Sequence, residues 1–117
     1  MDSPDFQHKV GRVTEFELVT TLMFYYFANM ANVDIAVIEA GIGGTYDSTN
    51  VFKALAVICP SISFDHQETL GNTLTEIASH KAGVLKTGVP FIFGKMAEPV
   101  EQVFKEKAKQ TDRRAHV

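Results

Sequence analysis

The amino-acid sequence predicts an α/β fold in which a mostly parallel sheet is flanked by helices. The prediction depends on three short runs, 34–38, 55–58 and 91–93, whose apolar residues follow one another rather than alternating with polar ones. Such runs are typical of strands buried on both faces of a parallel sheet. Helical patterns surround them in the order helix, strand, strand, helix, strand, helix, which is typical of α/β proteins. Three strands are few for this class, so we expect the chain to form part of a larger sheet.

Two capping boxes mark where helices should begin. In the pairs Thr14–Glu17 and Thr73–Glu76, each side chain can accept a hydrogen bond from the other residue's backbone amide. The first helix has two apolar stripes, so we expect it to be covered on two sides. Its stripes are Phe16, Val19, Met23, Tyr26 and Met30, and then Leu18, Leu22 and Tyr25. The second helix should end at Gly83. A final amphipathic helix carries Val100, Val103 and Phe104.

Length and composition predict one folded domain over 14–117, preceded by a loop or frayed start over 1–13. Hydrophobic residues make up 45% and charged residues 21% of the chain, which is typical of globular proteins. The net charge is −3 with both signs mixed, so nothing favours binding to nucleic acid. The most apolar stretch, 18–31, is too short for a membrane span and is interpreted as a buried helix. A polar N-terminus and the single Cys59 favour a cytoplasmic location.

Polar residues follow two of the predicted strands, where ligands bind in open parallel sheets. Glu39 ends the first strand and is followed by Gly41, Gly43 and Gly44, which let a backbone approach a ligand closely, although a plain turn has the same pattern. His66 follows the second strand and could hold a divalent cation together with Glu39. A histidine in such a place is also commonly just hydrogen-bonded.

Three further residues carry candidate roles. Lys81 falls on the apolar face of the second helix, where burying an ammonium group is costly and a neutral amine is reactive. The alternative is an aliphatic stem on the apolar surface with the amine reaching solvent. Asp47 and Asn50 lie in a polar run after the glycines, where such residues also form turns.

The residues discussed above resemble a known family. Residues 34–50 read DIAVIEAGIGGTYDSTN and are similar to the strand and E-x-G-x-G-G-x-x-D-[AS]-T-N motif of folylpolyglutamate and dihydrofolate synthases. Residues 63–74 read SFDHQETLGNTL and resemble the D-H-x-x-x-L-G-x-T-L element of that family. Residues 77–86 read IASHKAGVLK and resemble its I-A-x-E-K-A-G-I-x-K element. The three motifs occur in the family's order between about 14 and 94.

The resemblance implies a partial Mur-ligase-like central domain of the P-loop NTPase type. That family uses ATP and Mg²⁺ to convert a folate or dihydropteroate carboxylate into an acyl phosphate, which the amino group of L-glutamate attacks. By position, Glu39 and His66 match magnesium ligands, and Lys81 matches a lysine that the family carries as a carbamate. Lys81 is therefore the candidate catalytic residue and a third metal ligand. Cofactor binding is predicted for Gly41, Gly43, Gly44, Asp47 and Asn50.

The sequence departs from the family pattern in several places. Thr45 stands where an arginine is common, His80 replaces a common glutamate, and Phe64 stands where many relatives have a glycine or a bulky variant. The larger departure is that the family's Gly-Lys-Ser/Thr phosphate loop and its C-terminal domain are not in this sequence. We therefore expect a fragment that is inactive alone and that associates through an exposed sheet edge. The alternatives are a non-catalytic α/β module from a truncated gene and a fragment of a cell-wall Mur ligase.

Overall fold

The computed structural model describes residues 11–111 and the backbone of 115–116. The chain divides into two compact units, Met1–Ile38 and Glu39–Val117, each of which is described by itself. The predicted loop over 1–13 lies mostly outside the described residues, so that prediction and the single domain over 14–117 stay predictions.

The first unit contains one described helix, α1 (Glu15–Asn29). The predicted capping box begins it: the Glu17 amide donates to Thr14 Oγ1 at 3.1 Å, and the Thr14 amide donates to Glu17 Oε2 at 2.8 Å. The expectation that α1 is covered on two sides is wrong for this structure. Its buried residue is Thr20, whereas Leu22 and Tyr25 are about 60% exposed. An apolar stripe shows which face of a helix could be buried, but that face is buried only if a neighbouring element covers it.

The predicted strand over 34–38 is not formed. Val37 is 94% exposed and Ile35 is 70% exposed, and no strand among the described residues pairs with this segment. The physical reason is that a strand is stabilised by hydrogen bonds to its neighbour, so an apolar β-prone run without a neighbour stays irregular. Glu39 therefore does not follow a strand here, and the strand-end argument for its position is wrong.

The second unit contains a three-stranded parallel sheet in the order β1 (Val57–Cys59), β2 (Phe91–Phe93) and β3 (Ala115–His116). Val57 is paired with Phe91, and Phe91 with Ala115. The prediction of a parallel α/β fold is confirmed. The strand predicted at 55–58 lies at 57–59 and ends before Pro60, which has no amide hydrogen for the ladder.

Helices connect the strands, as parallel pairing requires. α2 (Gln67–Leu70) and α3 (Leu74–Ala82) lie between β1 and β2, and α4 (Glu98–Gln110) lies between β2 and β3. The capping box of α3 is formed as predicted, and the helix ends at Gly83. The final helix is also confirmed: Val100 and Phe104 of α4 are buried.

The core of this unit lies between the sheet and helices α3 and α4. Phe91, Phe93 and Phe104 are at most 1% exposed, and their ring centroids lie 5.0–5.6 Å apart. Ala78 and Ala82 of α3 belong to the same buried cluster. Small residues on α3 let the helix approach closely, so this packing fixes the position of its C-terminal end.

Candidate functional site

The glycine-containing loop 41–50 is folded around the carboxylate of Asp47. Asp47 Oδ2 accepts a hydrogen bond from the Ile42 amide at 2.7 Å. Asp47 Oδ1 accepts from the Thr49 amide at 3.0 Å and from Thr49 Oγ1 at 2.5 Å. Both Asp47 and Thr49 are buried. Asp47 therefore holds the loop closed, since it joins the glycine run to the residues that follow it.

These contacts determine the protonation of Asp47. Burial alone would raise the pKa of this carboxyl, but hydrogen bonds from Thr49, Ile42 and Gly41 outweigh burial and hold the pKa below its ordinary value. The side chain is therefore ionised at neutral pH, and most of its acceptor positions are used within the loop. Asp47 thus helps to form the loop, and its role in cofactor binding stays a prediction.

The loop is joined to the C-terminal end of α3. The Thr45 amide and Thr45 Oγ1 donate to the His80 carbonyl at 2.9 and 3.1 Å. Asn50 Nδ2 donates to the Gly83 carbonyl at 3.3 Å and to the Thr45 carbonyl at 3.2 Å. The last carbonyls of a helix have no partner within the helix. Thr45 and Asn50 supply such partners, so the loop caps the helix that carries Lys81.

Gly44 is needed at a close approach of the loop to α3. A β-carbon at this position would lie 2.7 Å from the His80 carbonyl oxygen and 2.9 Å from the Lys81 carbonyl oxygen. Neither backbone oxygen can move without disturbing the helix end. Gly43 has φ +68° and is also buried. At Gly44 the loop backbone approaches the end of α3, and the predicted approach of these glycines to a ligand stays a prediction.

Lys81 lies in the last turn of α3 and is half-buried. Ile77, Ala78 and Ala82 are the buried residues of this helix, so Lys81 lies at the margin of its apolar face. Burial raises the pKa of the Cys59 thiol, and the positive charge of Lys81 partly offsets that rise. The lysine is thus close enough to the end of β1 to act electrostatically on it.

The two other predicted metal ligands are exposed. Glu39 directly precedes the glycine loop. His66 precedes α2 with φ +48°, and its Nε2 lies 3.4 Å from Asp65 Oδ2. Between residues 11 and 111, no three side chains of the types His, Cys, Asp and Glu come together as a metal site. The assignment of Glu39, His66 and Lys81 to a metal stays a prediction.

Sequence reasoning missed how Thr45 and Asn50 act. The family pattern marks Thr45 only as a departure from a common arginine, yet both its amide and its hydroxyl donate to the His80 carbonyl. The available signal was a threonine and an asparagine close behind three glycines, since such side chains readily bond backbone groups. His80, a second departure, has its ring 6.2 Å from the ring of Tyr46.

The sequence is similar to those of known folylpolyglutamate and dihydrofolate synthases. The folylpolyglutamate synthase of Lacticaseibacillus casei is 44% identical over 99 residues, which are 85% of this chain and 23% of that protein. The dihydrofolate synthase/folylpolyglutamate synthase of Bacillus subtilis is 41% identical over 104 residues, which are 89% of this chain and 24% of that protein. The chain is therefore similar, over 85–89% of its own length, to about a quarter of each of two members of the folylpolyglutamate and dihydrofolate synthase family.

Solved structures of this family have the same fold. The apo form of L. casei folylpolyglutamate synthase superposes with a TM-score of 0.88 at 40% identity, covering 96% of this chain and 27% of that one. A complex of folylpolyglutamate synthase with AMPPCP and folate gives the same values. No family model matches the chain. The chain spans about a quarter of the length of these synthases. Within the described residues, no helix is long and apolar enough to cross a membrane.

Proposed function

We propose that this chain is part of an ATP-dependent ligase that adds L-glutamate to a folate or dihydropteroate carboxylate in the cytoplasm. The observation that carries the proposal is 41–44% identity to synthases of this name across at least 85% of the chain. The complex of a similar synthase with AMPPCP and folate supports ATP and a folate as substrates. The hydrogen bonds that join the loop 41–50 to the end of α3, which carries Lys81, support a site whose parts are positioned before a ligand binds.

The proposed reaction has two balanced steps. The substrate carboxylate takes the γ-phosphoryl group of ATP, which forms an acyl phosphate and releases ADP. The amino group of glutamate then attacks the carbonyl carbon, the C–O bond to phosphate breaks, and the amide, phosphate and a proton are released. Phosphoryl transfer depends mostly on positioning and on stabilising charge. The loop 41–50 would contribute to positioning through Gly41, Gly43 and Gly44, with Asp47 and Asn50 holding its shape.

The donor types of two of the three predicted ligands fit magnesium, because Glu39 and a carbamate on Lys81 would offer oxygen, whereas His66 offers nitrogen. Glu39 offers a carboxylate that makes no hydrogen bond or ion pair to other described residues, and His66 offers an exposed imidazole. Lys81 would supply carbamate oxygens after its neutral amine has bonded to carbon dioxide with loss of a proton. Oxygen ligands are those that magnesium prefers. When bound there, the ion would neutralise charge on the transferring phosphoryl group.

A non-catalytic α/β module remains the second candidate, because Glu39 does not follow a strand and no three-residue metal cluster is formed within the described ranges. Such a module would have the same fold and the same loop docking. It would differ in having no need for Glu39 or Lys81. A cell-wall Mur ligase is not favoured, since the similar proteins carry folate-ligase names.

The two candidates can be separated in a chimera of the B. subtilis relative, in which this chain replaces the matched segment. If the chain is a ligase segment, the chimera will convert dihydropteroate or folate, glutamate and ATP into ligated product. Glu39→Ala in the chimera should then reduce turnover by at least about 100-fold, the usual effect of removing one essential electrostatic group. A surface change on α4, Lys109→Gln, serves as the control. Equal turnover of the Glu39→Ala chimera and the parent chimera would favour the module.

We further expect the chain alone to release no phosphate above background. It has no Gly-Lys-Ser/Thr segment, which in this class of domain holds the β- and γ-phosphates. The assay is phosphate release with Mg-ATP, a folate and glutamate, compared with Glu39→Ala of the same chain. Turnover clearly above that variant would contradict the expectation.

A further inference from the structure

Thr45 joins the loop 41–50 to the C-terminal end of α3 through its backbone and its side chain together. The Thr45 amide donates to the His80 carbonyl at 2.9 Å, and Thr45 Oγ1 donates to the same oxygen at 3.1 Å. The Gly83 amide also donates to this oxygen, at 3.1 Å. The His80 carbonyl is therefore the point at which the loop and the last turn of the helix share one acceptor.

The backbone of Thr45 also packs directly against Gly83, at which α3 ends. A β-carbon on Gly83 would lie 2.6 Å from Thr45 Cα, closer than real β-carbons come to such an atom. Asn50 Nδ2 bridges the same two residues, since it donates to the Thr45 carbonyl at 3.2 Å and to the Gly83 carbonyl at 3.3 Å. Lys81 lies between His80 and Gly83 in the chain, so the loop contacts the helix end both before and after it.

The hydroxyl is the part of this contact that depends on the threonine side chain. Every residue except proline could donate the amide bond, whereas the second bond needs a hydroxyl on the β-carbon, which serine and threonine have. The arginine that is common here in the family has no hydroxyl. Thr45 is exposed, so water can take the place of a lost hydroxyl, and the unit should still fold in a variant without it.

We propose that Thr45 is a positioning residue for Lys81, because its hydroxyl holds the last turn of α3 against the loop. The proposal rests on the proposed function, in which Lys81 acts through its side chain. A displacement of about 1 Å at an acting group can lower a rate by about 100-fold. The amide bond from Thr45 survives loss of the hydroxyl, so we expect part of this effect, about tenfold.

The kinetic test uses the chimera described above and the variant Thr45→Val, which has nearly the size and shape of threonine without the hydroxyl. Its kcat should fall about tenfold, while KM for ATP, the folate and glutamate stays within about twofold, because the hydroxyl acts on Lys81 and does not bind substrate. Thr45→Ser keeps a hydroxyl on the β-carbon and should restore most of kcat.

Thr111→Val is the matched control, because Thr111 makes the same pair of bonds at the end of α4. Its amide and its Oγ1 donate to the Lys107 carbonyl at 3.2 and 2.8 Å. This helix end carries none of the predicted site residues. Thr111→Val should therefore leave kcat unchanged, although it removes a similar hydrogen bond.

Amide hydrogen exchange in this chain tests the contact independently of activity. In Thr45→Val, the amides of Lys81, Ala82 and Gly83 should exchange about fivefold faster than in the parent, as expected when one hydrogen bond is lost. The amides of α4 should exchange as in the parent. Thr111→Val should have the opposite pattern, with faster exchange in the last turn of α4 and no change in α3.

The outcomes separate the hypotheses. A fall in kcat that serine restores, with unchanged KM and faster exchange at the end of α3, would support the positioning role. An active chimera in which Thr45→Val loses no more turnover than Thr111→Val overturns that role and leaves the proposed function standing, as does a raised KM with unchanged kcat. Unchanged exchange in α3 overturns it whether or not the chimera is active. An inactive parent chimera overturns the proposed function, and the role of Thr45 in catalysis fails with it.

Discussion

Replacing Asp47 by alanine should destabilise the second unit by about 2–4 kcal/mol. The carboxylate accepts hydrogen bonds from the Ile42 amide, the Thr49 amide and the Thr49 hydroxyl. A net hydrogen bond to a charged group contributes about 1.5–3 kcal/mol. The three share one carboxylate and water can replace part of them in an open loop, so their contributions will not add in full. The loss is a large part of the about 5–15 kcal/mol that typical domains possess.

The assay is urea unfolding of this chain, followed by circular dichroism, at several pH values. The matched variant Thr49→Val removes only the hydroxyl contact and should cost about 1 kcal/mol. The control Glu106→Ala, an exposed change on α4, should stay within about 0.5 kcal/mol of the parent chain. Combining Asp47→Ala with Thr49→Val gives the coupling between the two side chains directly.

The pH dependence has a definite sign. The folded-state pKa of Asp47 lies below its ordinary value of 3.8, so its carboxylate contributes stability that is fully present above pH 3.8. That contribution is lost as the pH falls from 3.8 through the lower folded-state value. Glu76 and Glu101 also have lowered pKa values, owing first to backbone hydrogen bonds from Thr73 and Met96, so the parent chain loses stability in acid for several reasons. The difference between parent and Asp47→Ala isolates the Asp47 contribution. A difference below about 0.5 kcal/mol, or one that does not shrink in acid, would refute the role of Asp47 in holding the loop.

Two further predictions concern Lys81 and the exposed apolar surface. In the active chimera, Lys81→Ala should remove most turnover, and added short carboxylates should partly restore it, because the side chain acts through carbamate oxygens. Near-normal turnover of Lys81→Arg would be incompatible with that role. The isolated chain should be marginally stable and associate with rising concentration, because residues such as Val37 and Leu55 are more than 80% exposed. A clean monomer at high concentration by light scattering, with a cooperative melt, would contradict this.

Local signals predicted much of the fold. Both capping boxes, the helix end at Gly83 and the strand Phe91–Phe93 lie where the sequence places them. Each of the capping and helix-end features depends on residues that are close together in the chain. The strand depends on a buried run that pairs with another strand of the second unit. The strand at 34–38 was predicted on the same composition but is not formed. Composition indicates that a run could pair, whereas pairing depends on a neighbour that composition does not reveal.

The candidate site was predicted less completely, for a related reason. The glycines, Asp47 and Asn50 were identified by type, but their hydrogen-bond partners lie up to 33 residues away in the chain, as in the bond from Asn50 to the Gly83 carbonyl. No spacing rule joins a loop to a helix end across that distance. Thr45 shows the same limit, because its departure from the family pattern carries no information about the His80 carbonyl that it bonds.

The three predicted metal ligands lie in different local structures. Glu39 and His66 were expected to lie close together because each should follow a strand of the same sheet. No strand forms before Glu39, so the assignment of both residues to a metal now depends on the motif resemblance. The assignment of Lys81 also stays a prediction, and what the structure adds is that its backbone carbonyl lies against Gly44 and the adjoining His80 carbonyl is bonded by Thr45. The loop 41–50 and α3 are thus in direct contact, and a side chain added at Gly44 must displace one of them. A site assembled in this way would position Lys81 relative to the loop before any ligand binds.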